Sequence, residues 1–422
     1  MPVVHSLRAL EILDSRGRPT VKGWCTLGSG AVGAASVPSG ASTGTAEAHE
    51  LRDGDPARYR GLGCHKAVAQ IEGEIQAALR GREFTDQAAL DTALITLDGK
   101  PNKGRLGANT ILAVSLAFAR ACAAEQGRPL YAVLAEMAGV TPVHLPRPMI
   151  NLFSGGKHAG GQVAIQDIQI MPVRAETPDE LLAVTAAVFQ MAAERSMDWY
   201  GARPLRADEG GLAPDVEDSE ALLQLALDVL AEAGLTPDAD VAFTLDAAAT
   251  HFYDGARYHL DERRLTSSEL VDLYDLWLER FPIVSLEDGM AEDDWAGWKA
   301  LRKVAEGRAL ILGDDHLCTN PARITRAIAE GTANALLLKV NQIGTLTEAA
   351  EANRLAREAG WRVVISARSG ETEDDWLTDL AFGWGADHLK AGSITQSERL
   401  AKYNRLLEIA RDTKAPFAPF KI

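Results

Sequence analysis

Short apolar runs that each end in one polar residue recur along the second part of the chain. Asp246 closes VAFTLD, Glu287 closes IVSLE, Asp314 closes ALILGD, Lys339 closes ALLLK and Lys390 closes DHLK, while Ser366–Ala367–Arg368–Ser369 ends VVIS. Between them, Ser267–Arg280 and Thr345–Ala359 carry apolar residues at helical spacing. Runs apolar at every position read as buried parallel strands, and their alternation with helices gives repeated β/α units. In a β/α barrel the carboxyl ends of the strands share one mouth, where chemistry sits. A lone polar residue after a strand is often only a helix cap. Five in register predict a pocket holding three carboxylates and two lysines.

The amino-terminal part has a different texture. Val3–Ile12, Thr20–Leu27 and Ala31–Val37 alternate like a small antiparallel sheet, and helical patterns follow at Lys66–Arg80, Thr85–Leu97 and Gly107–Glu125. Strands followed by helices predict a separate α+β domain over residues 1–135. The Pro-containing connection Gly139–Pro148 leads into a barrel domain over 142–422. Two loops rich in small residues, Pro38–Gly44 and Phe153–Gly161, flank the expected mouth and read as lids that exclude water.

Composition narrows the function. A net charge of −16 argues against a nucleic-acid or anionic-membrane partner and leaves a small anion held by local cations or metal. The four cysteines are far apart and the nine histidines show no ligand spacing, so neither disulfides nor zinc are expected. Asn109–Ala124 is the most apolar stretch, but it carries Arg120 and helical spacing, so it reads as a buried helix. Met1–Leu10 has no signal-peptide pattern, and the expected location is cytoplasmic.

The mouth residues suggest a reaction. Removing a proton alpha to a carboxylate builds a dianion, and a divalent ion on Asp246, Glu287 and Asp314 would neutralise it. Oxygen-only ligands suit Mg²⁺. Lys339 is the candidate base, its pKa expected to fall beside Lys390 and metal. Glu209 is the candidate acid for the departing hydroxyl. Arg368 offers a guanidinium fork for phosphate oxygens.

Several runs carry a family resemblance: Glu11–Gly17, Pro38–Gly44, Asn102–Asn109, Asp208–Pro214, Leu338–Gly344, Ser369–Asp374 and Ser397–Asn404. In this order they resemble enolase. The resemblance implies a modified (β/α)8 TIM-type barrel, preceded by a smaller α+β capping domain, in a homodimer or homo-octamer. It implies two Mg²⁺ per active site, the first on Asp246, Glu287 and Asp314 and the second on Ser42. Lys339 would be the base, Glu209 the acid, and Asp167 would occupy a third catalytic position. Lys390 would meet the substrate carboxylate. Arg368 and Ser369 would hold the phosphoryl group, with His158, Gln166 and Ala41 completing the substrate contacts.

Three departures bear on the substrate. Ala367 stands where the family has His, Asp167 where it has Glu, and Lys390–Ile394 and Gln396 differ from the family's Lys-Thr-Gly-Ala-Pro run and following Arg. The first two remove side-chain volume. The expected function is thus an enolase-type hydro-lyase acting on a 2-phospho- or 2-phosphono-D-glycerate-like acid. A bulkier headgroup points to carboxyphosphonoenolpyruvate formation in phosphonate natural-product biosynthesis. Ordinary turnover of 2-phosphoglycerate and a non-catalytic binding role are the alternatives. A sugar-acid dehydratase or racemase of the wider superfamily is disfavoured by the Ser39–Gly44 loop and Arg368–Ser369.

Overall fold

The computed structural model describes residues 1–200 and 205–420. Three antiparallel strands open the chain: β1 (Val4–Leu13), β2 (Pro19–Leu27) and β3 (Val32–Ser36), with β2 central. Helix Ala108–Gln126 lies across this sheet, almost wholly buried. The approach is close enough to require glycine: a Cβ on Gly33 would stand 2.1 Å from the Ala117 carbonyl oxygen. The predicted helix over Lys66–Arg80 is continuous but contains a π-helical turn at Ile71–Ile75. No helix among the described residues is long and apolar enough to cross a membrane.

Eight further strands close into a barrel: β4 (Arg147–Ser154), β5 (Asp167–Pro172), β6 (Val241–Asp246), β7 (Ile283–Glu287), β8 (Leu310–Gly313), β9 (Ala335–Leu338), β10 (Arg362–Ser366) and β11 (His388–Gly392). Closure comes from β11 pairing with β4. The strands are not all parallel, since β5 runs against both β4 and β6. Its first residue therefore lies at the mouth with the last residues of its neighbours. Helix Pro178–Tyr200 follows β5 and starts at the opposite end of the barrel.

The barrel helices begin where their capping chemistry dictates. Thr266 and Glu269 form a reciprocal capping box ahead of Ser267–Arg280, and the Asn320 side chain caps Pro321–Glu330 with Pro at the first turn. Met149, Met171, Val284, Leu312, Leu337 and Val364 fill the interior as one apolar cluster, so the barrel is a packed core. A second cluster joins the amino-terminal sheet and helix Ala108–Gln126 to β9, β10 and the helices around them.

Candidate active site

Strand register assembles the mouth. Asp246 pairs with Glu287 on one side and with Asp167 on the other. Asp314 and Lys339 directly follow β8 and β9. Lys390 does not end its strand, as its place in DHLK suggested, but is the third of five residues in β11. It stays level with the mouth because it pairs with Ser366, the last residue of β10.

Two ammonium groups knit the carboxylates together. Lys390 Nζ donates to Asp246 Oδ2 at 2.8 Å and to Glu287 Oε2 at 2.7 Å, while Lys339 Nζ donates to Asp314 Oδ2 at 2.5 Å. Gln166 Nε2 adds a bond to Asp246 at 3.1 Å, and Gln342 Nε2 one to Asp314 Oδ1 at 2.7 Å. Burial opposes charge on Asp246, but Lys390 and further cations hold its carboxyl down at about 2. Glu287 goes the other way: burial, then the Asp246 charge, push it well above the carboxylate range.

The expected fall in the Lys339 pKa is not seen. Burial favours the neutral amine, but the Asp314 carboxylate outweighs it and lifts Lys339 above its ordinary value. Like charge from Lys390 and Arg368 is the weaker influence. Lys339 is an ammonium as long as Asp314 faces it.

A second group surrounds His158. Its Nδ1 lies 2.7 Å from Asp167 Oδ2, and its Nε2 lies 3.8 Å from Glu209 Oε1. Ser154 Oγ donates to Asp167 Oδ1 at 2.6 Å, and Asn151 Nδ2 donates to Glu209 Oε2 at 3.1 Å. The short strands Leu205–Arg206 and Leu212–Ala213 form a hairpin whose tip carries Glu209. The tip is tied down by Ser393 N–H donating to the Glu209 carbonyl and Asp208 N–H donating to the His158 carbonyl, each at 2.9 Å. Burial works against a charged His158, yet Asp167 and Glu209 raise it to about 9. Burial would raise Glu209 as well, but His158, Arg399 and both lysines hold it at about 2. Glu209 is thus a carboxylate, whereas burial raises Asp167 too, so the proton of the group lies within the His158–Asp167 pair.

The third group surrounds Arg368 and Ser369, the expected anion clamp. Arg368 is buried, and its fork is filled by Glu47, with Nη1 3.0 Å from Oε2 and Nη2 3.1 Å from Oε1. Arg368 Nη2 also donates to the Ser42 backbone carbonyl at 2.7 Å. Ser369 Oγ accepts from Ala41 N–H at 2.7 Å and from Arg16 Nη1 at 3.0 Å. Arg399 fixes the segment by donating to the Arg368 and Ser369 carbonyls, each at 2.7 Å. A two-bond bridge between Ser39 and Gly370 docks the first loop onto it. Glu47 thus occupies the fork expected to be free for phosphoryl oxygens. Sequence reasoning passed over Glu47, although an acid just after a flexible loop and facing an arginine was a usable signal.

The carboxylates suit a divalent cation. Glu287 Oε1 is buried without a hydrogen-bond partner, an oxygen left free beside Asp246. Such an orphan costs free energy unless something binds it. The donors are all oxygen, as Mg²⁺ prefers. The tightest acidic groupings are others: His158–Asp167–Glu209 and Asp288–Asp314–Asp315. The first is spent on its own ion pair. In the second, Asp288 accepts the Asp314 and Asp315 N–H groups at 2.9 and 2.7 Å, bracing the turn that presents Asp314.

Comparison with known families agrees with this architecture. The enolase N-terminal domain family matches residues 4–134, and the family of the enolase C-terminal TIM barrel domain matches residues 142–419. With both halves matched across a closed barrel and its preceding sheet, the chain belongs to the enolase family.

Proposed function

We propose that the protein is a Mg²⁺-dependent hydro-lyase that removes water from a 2-phospho- or 2-phosphono-D-glycerate-like acid to give an enolpyruvyl ester. The observation that carries this reading is the placement of Lys339 and Lys390 among Asp246, Glu287 and Asp314 at one buried mouth. Asp246, Glu287 and Asp314 would hold the first ion and Ser42 would belong to the second. When bound, the metal supplies positive charge opposite the substrate carboxylate, where the dianion develops.

The chain's own groups divide the remaining work. Lys339 accepts the α-proton once Asp314 is drawn away and the amine is neutral. An ammonium has three donors, so Lys390 keeps one for the substrate carboxylate beyond those given to Asp246 and Glu287. The proton for the departing hydroxide comes from the His158–Glu209 pair, with His158 as its reservoir and Asp167 orienting the ring. Arg368 releases Glu47 to take the phosphoryl oxygens, beside Ser369 and Ala41.

Ala367 is the position that decides the headgroup. It is a buried residue immediately before Arg368 and carries only a methyl where the family has an imidazole. That substitution supports a headgroup larger than phosphate, with the carboxyphosphono acid as our choice over 2-phosphoglycerate. Rates with the two acids, followed by ultraviolet absorbance of the enol ester, test this directly. Faster turnover of the carboxyphosphono acid, shifting toward 2-phosphoglycerate in Ala367→His, is expected. Turnover of 2-phosphoglycerate alone overturns the larger headgroup, and turnover of neither overturns the enzyme reading.

A further inference from the structure

The end of the barrel away from the mouth contains a charge with nothing to balance it. Arg147 opens β4 and is 6% exposed. Its Nη1 donates to the Pro172 and Ala175 carbonyls at 2.8 and 2.9 Å, and the Phe417 ring lies 4.5 Å from Cζ. Its Nε is buried with no partner, and Nη2 makes no hydrogen bond. No carboxylate of the described residues comes within ion-pair distance of it. Burial alone pulls this guanidinium down to about 10. Carbonyls and a ring face soften the cost of burying a cation, but only an anion removes it. Nε is closed off from the surface, whereas Nη2 is uncommitted and can give a charge-assisted bond to an oxyanion.

The inverted strand brings a second feature to the same place. Because β5 descends, helix Pro178–Tyr200 starts at this end, whereas the helices after the parallel strands finish there. In its first turn Pro178 has no N–H and the Glu180 N–H goes to Thr177 Oγ1, which leaves the Asp179 N–H to a ligand, and Asp179 and Glu180 already face the positive dipole. Arg147 and residues Thr177 to Asp179 line one cavity of about 710 Å³, together with Arg174, Arg411 and Lys414. Arg174 is paired with Asp240, and Arg411 with Asp412, whereas Lys414 makes no ion pair. Two carboxylates, Glu176 and Asp179, share the lining, so they match in number the two cations without an ion pair, Arg147 and Lys414.

We propose that this cavity is a second ligand site, which binds a small oxyanion of two or more negative charges between the Arg147 guanidinium, the amino terminus of helix Pro178–Tyr200 and Lys414. The cavity admits anything from inorganic phosphate to a phosphorylated or polycarboxylic metabolite. The site is independent of the chemistry proposed for the mouth.

Calorimetric titration at low ionic strength tests it, with inorganic phosphate in one arm and citrate in the other. Arg368→Gln protein is used so that the clamp at the mouth adds no phosphate heat. Saturable binding of one equivalent is expected in at least one arm, phosphate alone assigning a phosphate ester and citrate alone a polycarboxylate. Adding Lys414→Gln should weaken that binding by about tenfold, the worth of one charge-assisted bond. Adding Arg147→Met should abolish it. Because Arg147 also ties two carbonyls and its loss could unfold the barrel, the exposed Lys414 variant carries the decision on its own. No saturable binding in either arm overturns the proposal, and so does binding that Lys414→Gln leaves unchanged.

Discussion

Arg368 and Glu47 meet fork to fork, with both guanidinium nitrogens within 3.1 Å of a carboxylate oxygen. This pair joins the barrel to the segment that follows the first loop. It also fills the guanidinium that we propose takes the phosphoryl group. A phosphoryl group reaching Arg368 would therefore have to displace Glu47. Glu47→Gln removes the competing charge, and inorganic phosphate should then bind up to about tenfold tighter, by the measure of one charge-assisted bond. Inhibition constants for phosphate in the two proteins check this.

Gly40 lies against the same fork. A Cβ there would stand 1.9 Å from Arg368 Nη2, so even alanine must move the guanidinium. Gly40→Ala should raise KM by roughly tenfold or more with less effect on kcat, the pattern of lost ground-state binding. The melting temperature should fall as well, because the displaced guanidinium is buried and paired with Glu47. Steady-state kinetics alongside thermal melts separate the two effects.

The His158–Asp167 pair gives stability a pH dependence. Although burial opposes the charge, its carboxylate neighbours raise His158 from 6.5 to about 9. A group raised on folding contributes fully below its unfolded pKa, and that contribution fades as pH rises through the folded value. The melting-temperature gap between the native protein and His158→Gln should therefore be widest below about pH 6.5 and close toward about pH 9. The measurement is made in chelator, so that metal does not alter the neighbours.

Metal should stabilise the fold through Glu287, whose Oε1 has no partner in the protein. At a hundredfold excess over its dissociation constant, Mg²⁺ should add about 2.7 kcal/mol to the unfolding free energy. Glu287→Gln keeps the shape but weakens the ligand, and most of that gain should vanish. Denaturant unfolding with and without Mg²⁺ reads the difference.

How much of this could be read from sequence follows from strand direction. Asp246 and Glu287 are the last residues of parallel strands, so a polar residue closing an apolar run found them. Asp314 and Lys339 sit one residue beyond theirs and were found the same way. Asp167 opens its strand, because β5 is inverted, and the rule cannot see a mouth residue in that position. Family resemblance, not periodicity, pointed to it. Glu47, Asn151 and Gln342 escaped for another reason: their roles depend on contacts between distant segments. The proton placement was illegible too. Whether Lys339 gains or loses proton affinity depends on whether Asp314 or Lys390 lies nearer, which spacing along the chain does not encode. Arg147 shows the same limit, since nothing beside it in sequence marks it as buried without a counter-charge.

The proposed reaction turns on the Lys339 amine taking the α-hydrogen of the substrate acid. Exchange of that hydrogen with deuterated solvent, followed by nuclear magnetic resonance, isolates the step from loss of water. With Lys339→Ala, the exchange rate should fall by about a hundredfold or more, the range for removing a general base. Folding and Mg²⁺ binding should persist in that variant. Exchange continuing at the native rate would mean that Lys339 is not the base.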